Sequence, residues 1–197
     1  MGQFIAMVPD VEVSGAGIRS IMHAMGPFQK VGADILSSHH ITQVNPNKWY
    51  ALQDFLDTLK DIYNRLGTAV LFEIGKQIPQ DAVFPPDIRT FEDAIASIDV
   101  AYHMNHRRGG KVMFDPIHRT MLEGIGHDRY IPSSDPSRNP PQVICDNPHP
   151  CDFDRGIITT MARRFKPAGA LLMQVVHAPS PPCRNSGDHL CTYEINW

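Results

Sequence analysis

CRNSGDHLCTYEINW, residues Cys183–Trp197, is the stretch on which the fold turns. Two cysteines flank a polar Gly187-Asp188 turn, and the second opens a run whose apolar residues alternate, the period of a half-buried strand. The chain has only four cysteines, so half of them sit in this one turn. If the apolar segment ending at His177 pairs with the strand starting at Leu190, the hairpin brings both thiols to one end. Cys151, at the start of a predicted helix, is a third thiol in a position that favours thiolate, and His177 or Cys145 completes four ligands. That donor set suits tetrahedral zinc, which here would be a structural clasp. The seven residues between Cys183 and Cys191 exceed the usual gap in structural zinc sites, so thiols without metal stay open as an alternative, with a disulfide a further one.

Working outward, the chain changes character near its middle. Between Ser14 and Ser38 small and apolar residues predict two short helices, or one kinked at Pro27. Asn45-Pro46 then predicts the start of a long helix carrying Trp49, Leu52, Leu56, Leu59, Tyr63 and Leu66, stopped at Gly67. A further helix runs from Thr68 to Ile78 and ends at Pro79. Thr90-Phe-Glu-Asp93 has the form of a capping box and opens a helix that Arg107-Arg108-Gly109-Gly110 closes. Beyond Gly110 strands dominate: 111–115, 120–131, 142–145, 171–177 and 190–197, with one helix inserted over 153–165. Helices first and strands later predict an α+β fold, a single domain of N-terminal helices packed on a mainly antiparallel sheet.

Composition narrows the partners. With 197 residues and 42% apolar content the chain is long enough for one domain burying about 70% of its unfolded surface. A net charge of -3 with no Lys/Arg run argues against nucleic acid. The first residues lack a basic, apolar leader and no window approaches the ~20 apolar residues of a membrane span, so a soluble, cytoplasmic protein is expected.

A second constellation lies on the helix after Thr90. Asp99, His103 and His106 are spaced four and three apart and share one face, the pattern by which successive turns converge on a zinc or iron ion or form an acid–base pair. The plainer reading is a polar stripe on an amphipathic helix, with His106 at the C-terminal carbonyls. Tyr102, His103 and His106 also suit a ligand-facing wall, with Trp49 and Phe72 contributed by other helices. Glu123-Gly124-Ile125-Gly126-His127 puts glycines inside a predicted strand, the mark of a bulge or a close backbone approach. No Gly-x-Ser-x-Gly, Rossmann or His-Glu-x-x-His motif is present.

Pro150-Cys151-Asp-Phe-Asp-Arg-Gly156 opening a helix, then a strand, then Cys183-x-x-x-Gly187-Asp188-x-x-Cys191-x-x-x-Ile195, resembles the 4-vinyl reductase-like domain. That family shares a superfamily with the haem-NO-binding domain and the vesicle-tethering subunits of the TRAPP complex. The resemblance covers roughly residues 65–197, with residues 1–64 resembling a helical extension. It implies a mixed, frequently homodimeric domain holding a small hydrophobic, aromatic or tetrapyrrole-type molecule between helices and sheet, as a sensor or carrier. It also implies zinc on Cys151, Cys183 and Cys191. The fourth ligand in related effector domains is a Glu three residues before the first cysteine of the turn. Here Ser180 stands there, which shifts the role to His177. A metal- or haem-dependent enzyme using Asp99, His103 and His106 is the alternative reading.

Overall fold

The computed structural model describes residues 2–179 and 183–197. In chain order the elements are β1 (Val11–Ser14), α1 (Gly15–Met25), α2 (Gln29–Ser38), β2 (Trp49–Ala51), α3 (Leu52–Leu66), α4 (Thr68–Asp81) and α5 (Phe91–Met104). There follow β3 (His106–Arg108), β4 (Lys111–Val112), β5 (Phe114–Asp115), β6 (Thr120–Met121), β7 (His127–Ile131), β8 (Gln142–Asp146), α6 (Cys151–Arg164), β9 (Gln174–His177) and β10 (Cys191–Asn196). The fold is a single α+β domain whose pairings are antiparallel. No described helix is long and apolar enough to cross a membrane.

Among the described residues the larger sheets run β2-β1-β3-β4 and β7-β8-β10-β9. The second is the sheet that the terminal cysteine turn builds. β10 lies between β8 and β9, with Cys191 opposite Cys145 and Tyr193 opposite both Val143 and His177. Its buried face, with Val143, Tyr193 and Ile195, packs on Ile95 and Ile98 of α5 and Ile158 and Met161 of α6. A second interior joins Ile18, Ile21, Leu59 and Ile62 to Leu71, Ile74, Tyr102 and Phe153, so residues before and after position 65 share one core.

Where α4 crosses α6 the two backbones meet at glycines. A Cβ on Gly75 would lie 2.0 Å from the Phe153 carbonyl oxygen, and one on Gly156 would lie 2.3 Å from that of Phe72. No side chain fits at either position, and this contact sets how the N-terminal helices sit on the C-terminal sheet. α5 starts as its sequence predicts: the Thr90 hydroxyl accepts from Asp93 N at 3.1 Å and the Asp93 carboxylate accepts from Thr90 N at 3.0 Å.

Three local expectations are overturned by longer-range contacts. Trp49 is not on the long helix but begins β2, and α3 starts only at Leu52. Asn45 caps Asn47 N at 2.9 Å, Tyr50 is pinned to Gln43 and Asn45, and β1 takes residues 49–51 as its partner. α4 does not end at Pro79 but reaches Asp81, whose carboxylate accepts from Gln77 and Ser20 and meets His23. Residues 123–126 are a turn, not a strand. Gly124 and Gly126 take φ of +111° and +85°, and a Cβ on Gly126 would fall 1.8 Å from the Asp146 oxygen.

Replacing Gly156 with Ala should cost about 2–3 kcal/mol, because the intruding methyl meets backbone that cannot give. Urea denaturation measures this, and an unchanged midpoint would show that the helices part freely.

Candidate functional site

The terminal turn closes a tetrad. Ligand atoms of Cys151, His177, Cys183 and Cys191 all lie within 4.8 Å of one another. The Cys151 sulfur is 3.2 Å from that of Cys191 and 3.7 Å from that of Cys183, and Cys183 is 3.9 Å from Cys191. These separations are far from a disulfide, and two of them match the ~3.8 Å expected between sulfurs about 2.3 Å from one tetrahedral zinc. His177 Nε2 is buried with no hydrogen-bond partner, and its ring stands edge-on to Tyr193 at 5.0 Å. Each ligand is delivered by an element boundary: Cys151 begins α6, His177 ends β9, Cys183 precedes the turn and Cys191 begins β10.

The thiols share a proton. Donation from the Cys151 thiol, with Arg184 behind it, pushes the Cys191 thiol down to about 4 against burial. The same shared proton raises Cys151. Cys191 sulfur also accepts from Arg184 N at 3.3 Å and Nε at 3.4 Å. A thiolate so solvated needs no water, which is what a buried metal ligand requires.

Arg184 carries this site inward. Its side chain is 0% exposed, and its guanidinium meets the Asp154 carboxylate at 2.5 Å and both oxygens of Asn147. Burial would raise the Asp154 carboxyl, but the Arg184 charge holds it below the usual value. Asn147 Nδ2 donates to Asp128 at 2.6 Å. Burial and the Asp154 charge push Asp128 up to about 8, which favours its protonated form at neutral pH.

Asp128 N in turn donates to Asp99 Oδ1 at 2.9 Å, which leads to His103 near the end of α5 and His106 at the start of β3. His103 and His106 each direct Nδ1 at the carbonyl four residues back, Asp99 at 2.8 Å and Tyr102 at 2.7 Å. A carbonyl only accepts, so Nδ1 bears the hydrogen and Nε2 is left as a bare acceptor. Both Nε2 atoms are buried without a partner, as is that of His149. Burial, then the neighbouring His149, depress His106 to about 3, so it stays neutral.

The predicted residues are therefore only partly brought together. Cys151, Cys183, Cys191 and His177 converge, and Cys145, on β8, stands outside that tetrad in the core. Ser180 lies outside the described residues. Asp99 and His103 meet His127 rather than His106, whose ring instead lies 4.4 Å from Tyr102 and 5.8 Å from His149. Trp49 lies under the Arg107 guanidinium, and Phe72 lies under that of Arg155 in an outer cleft of about 360 Å³ next to His177. Neither aromatic joins Tyr102, His103 and His106. Sequence reasoning missed Arg184, Asp154, Asn147 and His149. Only their burial distinguishes them.

No family model and no curated protein matches the chain. Solved structures do. An H-NOX protein from S. oneidensis in the Fe(II) ligation state is similar over 93% of this chain and 95% of its own, with 16% identity and a TM-score of 0.64. The fold is that of the H-NOX proteins. An oxygen-binding H-NOX domain related to soluble guanylate cyclases matches 92% of this chain and 89% of its own, with 14% identity and a TM-score of 0.56. A structure concerned with heme redox potential and porphyrin distortion gives 92% of each chain, 12% identity and 0.57. The H-NOX likeness thus takes in the N-terminal helices as well as the C-terminal sheet.

Within this H-NOX fold the Arg184–Asp154 pair is the costliest contact to break. Asp154→Asn keeps the shape but leaves a buried guanidinium unpaired, and should lower unfolding free energy by about 3–5 kcal/mol in a denaturant titration. A loss under 1 kcal/mol would mean the cation reaches water.

Proposed function

We propose that the chain is a small-molecule-binding sensor or carrier domain whose C-terminal sheet is held closed by a structural zinc ion on Cys151, His177, Cys183 and Cys191. The clasp reading is supported by the spacing of the three sulfurs and by the unpartnered Nε2 of His177. Zinc in such a site fixes the β9–β10 hairpin to the start of α6, a structural role with all four positions filled by protein.

The observation that carries the ligand reading is the pair of bare, buried ring nitrogens of His103 on α5 and His106 on β3, beside Tyr102. A buried acceptor without a donor costs about 1–3 kcal/mol, and a ligand that supplies the donor recovers it. Trp49 and Phe72, which the sequence placed in the same wall, belong to separate surface stacks and take no part.

Haem is the second reading, since the H-NOX fold is shared with proteins described by their iron and heme chemistry. One donor fits: His103 offers a free Nε2 while its Nδ1 is held by the Asp99 carbonyl. The rings of Tyr102, His106, His149, Phe153 and Phe55 pack into one cluster, with neighbouring centroids 4.4 to 6.2 Å apart. A macrocycle entering this interior would have to part these rings. The first reading therefore favours a ligand smaller than a tetrapyrrole. The closer tie to the 4-vinyl reductase-like family, a homodimeric state, a cytoplasmic setting and a division into residues 1–64 and 65–197 belong to the same proposal.

Two measurements test it. Elemental analysis of the purified protein should find one zinc per chain retained through desalting, and Cys183→Ser should lose it. Zinc absent from the wild type would remove the clasp. Native mass spectrometry of freshly purified protein should show a dimer carrying added small-molecule mass, which a His103→Ala/His106→Ala double variant lacks. A bare protein mass in both would end the ligand reading, while a Soret band on adding haemin, absent in His103→Ala, would put haem in its place.

A further inference from the structure

The outer cleft beside Phe72 has a wall that neither the tetrad nor the interior uses. All four residues of β9, Gln174 to His177, line it. Side chains of a strand alternate between faces, so a cleft that touches four in succession runs along the strand's edge. We propose that this edge takes up an extended acidic segment of a partner protein as a fifth strand of the sheet, with carboxylates four residues apart set on Arg155 and Arg163 of α6.

The free side of β9 can be assigned atom by atom. β9 is the outer strand in the order β7-β8-β10-β9. Ala178 N donates to the Thr192 oxygen at 2.9 Å, and on the other side of β10 Ile195 N donates to the Pro141 oxygen at 3.0 Å. Hydrogen-bonded pairs alternate along an antiparallel ladder, so Gln174 and Val176 face β10 while Val175 and His177 turn N–H and C=O outward. Those outward groups meet no partner among the described residues. Only another strand matches such a series of donors and acceptors; a free anion does not. Leu171 and Leu172, 96% and 70% exposed on the approach to β9, extend the edge with apolar surface that a polypeptide covers.

The opposite wall sets the charge. Arg155, Thr159 and Arg163 follow one another at intervals of four along one face of α6, and no carboxylate lines the cleft. Asp152 holds Arg155 at 2.8 Å, whereas Arg163 is exposed and has no ion pair among the described residues. Eight helical residues advance about 12 Å, and four strand residues about 13 Å. Acidic side chains at i and i+4 of an added strand therefore reach both cations, and the residue midway between them, on the same face, meets Phe72 and Thr159 and is apolar. The alternate residues lie on the outer face of the sheet, where Glu194 stands opposite Val176, so they are not acidic. A second copy of this chain fits poorly, because pairing β9 with itself sets these arginines against their own kind.

Neither zinc nor an interior ligand takes part, so the test stands apart from both. The probe is a fluorescein-labelled peptide, Gly-Ser-Glu-Thr-Val-Thr-Glu-Ser-Gly, titrated with the full chain at low salt and read by fluorescence anisotropy. Binding should saturate, and the peptide with Lys in place of both Glu should not bind. Arg163→Glu, at an exposed position outside the tetrad, should weaken binding by about tenfold or more. Backbone pairing is read separately. Hydrogen exchange by NMR should slow at the Val175 and His177 amides when the peptide is added, and N-methylation of alternate peptide amides should abolish binding in one phase and spare it in the other. Absence of saturable binding overturns the proposal, as does binding indifferent to Arg163→Glu or to N-methylation in both phases. Protection of the two amides that grows with protein concentration, without peptide, assigns the edge to a second copy and equally overturns it.

Discussion

The Arg184 guanidinium, fully enclosed, dictates its surroundings. Moving an ion into the interior costs several kcal/mol, and each neighbour of this one answers that cost. Asp154 supplies the opposite charge and Asn147 turns its backbone and side-chain oxygens toward the cation. Asn147 Nδ2 then has two carboxylates to serve, Asp128 and Asp154, and only one of them ionises. Asp154 holds the charge because Arg184 touches it. Asp128, in the same space, is pushed up to about 8 and stays neutral. Asp154 and the Cys191 thiol, pushed down to about 4, both oppose the Arg184 cation, and Asp128 takes up a proton rather than add a further negative charge.

That balance also joins the two ends of the site. Arg184 follows Cys183 directly and donates twice to the Cys191 sulfur, so the residue that closes the tetrad anchors the interior as well. From there the contacts run through Asn147 to Asp128, through the Asp128 backbone to Asp99, and from Asp99 to His103 and His127. Every contact along this path is with a specific oxygen or nitrogen. A shift of the cysteine turn moves Arg184, and the neutral state of Asp128 depends on where Arg184 stands. The Cys/His tetrad and the pair His103 and His127 are thus parts of one electrostatic structure, although no residue is common to both.

The sequence made some of this legible and concealed the rest for physical reasons. The tetrad could be read because its residues sit at element boundaries: a hairpin between His177 and Leu190 and a helix starting at Cys151 suffice to bring the thiols together. The α5 capping box and the stop at Gly67 are local chemistry and were equally plain. Trp49 was misread because a single strand, β1, recruits residues 49–51 across a long loop, and pairing of that kind leaves no periodic trace. His106 was grouped with Asp99 and His103 by helical spacing, yet α5 ends at Met104, and His106 begins β3 opposite Val13. The true partner, His127, comes from another element, brought there by a glycine whose need for space appears only once Asp146 is opposite it. Nothing in the spacing of Arg184 and Asp154 announces that they are buried together.

Sharing the H-NOX backbone at 11–16% identity leaves the interior free to differ, because a fold fixes where side chains point and not what they fill. Here the glycines of α4 and α6 bring the helices together, and five rings fill the space behind them. The polarity of this interior is set by the tautomers. His103 and His106 both give their hydrogen to a helix carbonyl, so both turn an acceptor inward. An anion or a bare carbonyl gains nothing from two acceptors, whereas a hydroxyl, an ammonium group or a metal ion satisfies either one. With His106 depressed to about 3, protonation does not reverse this preference at physiological pH. Two backbone carbonyls thereby decide the hydrogen-bonding character that this interior presents, and a cluster of five rings fills the space beside it.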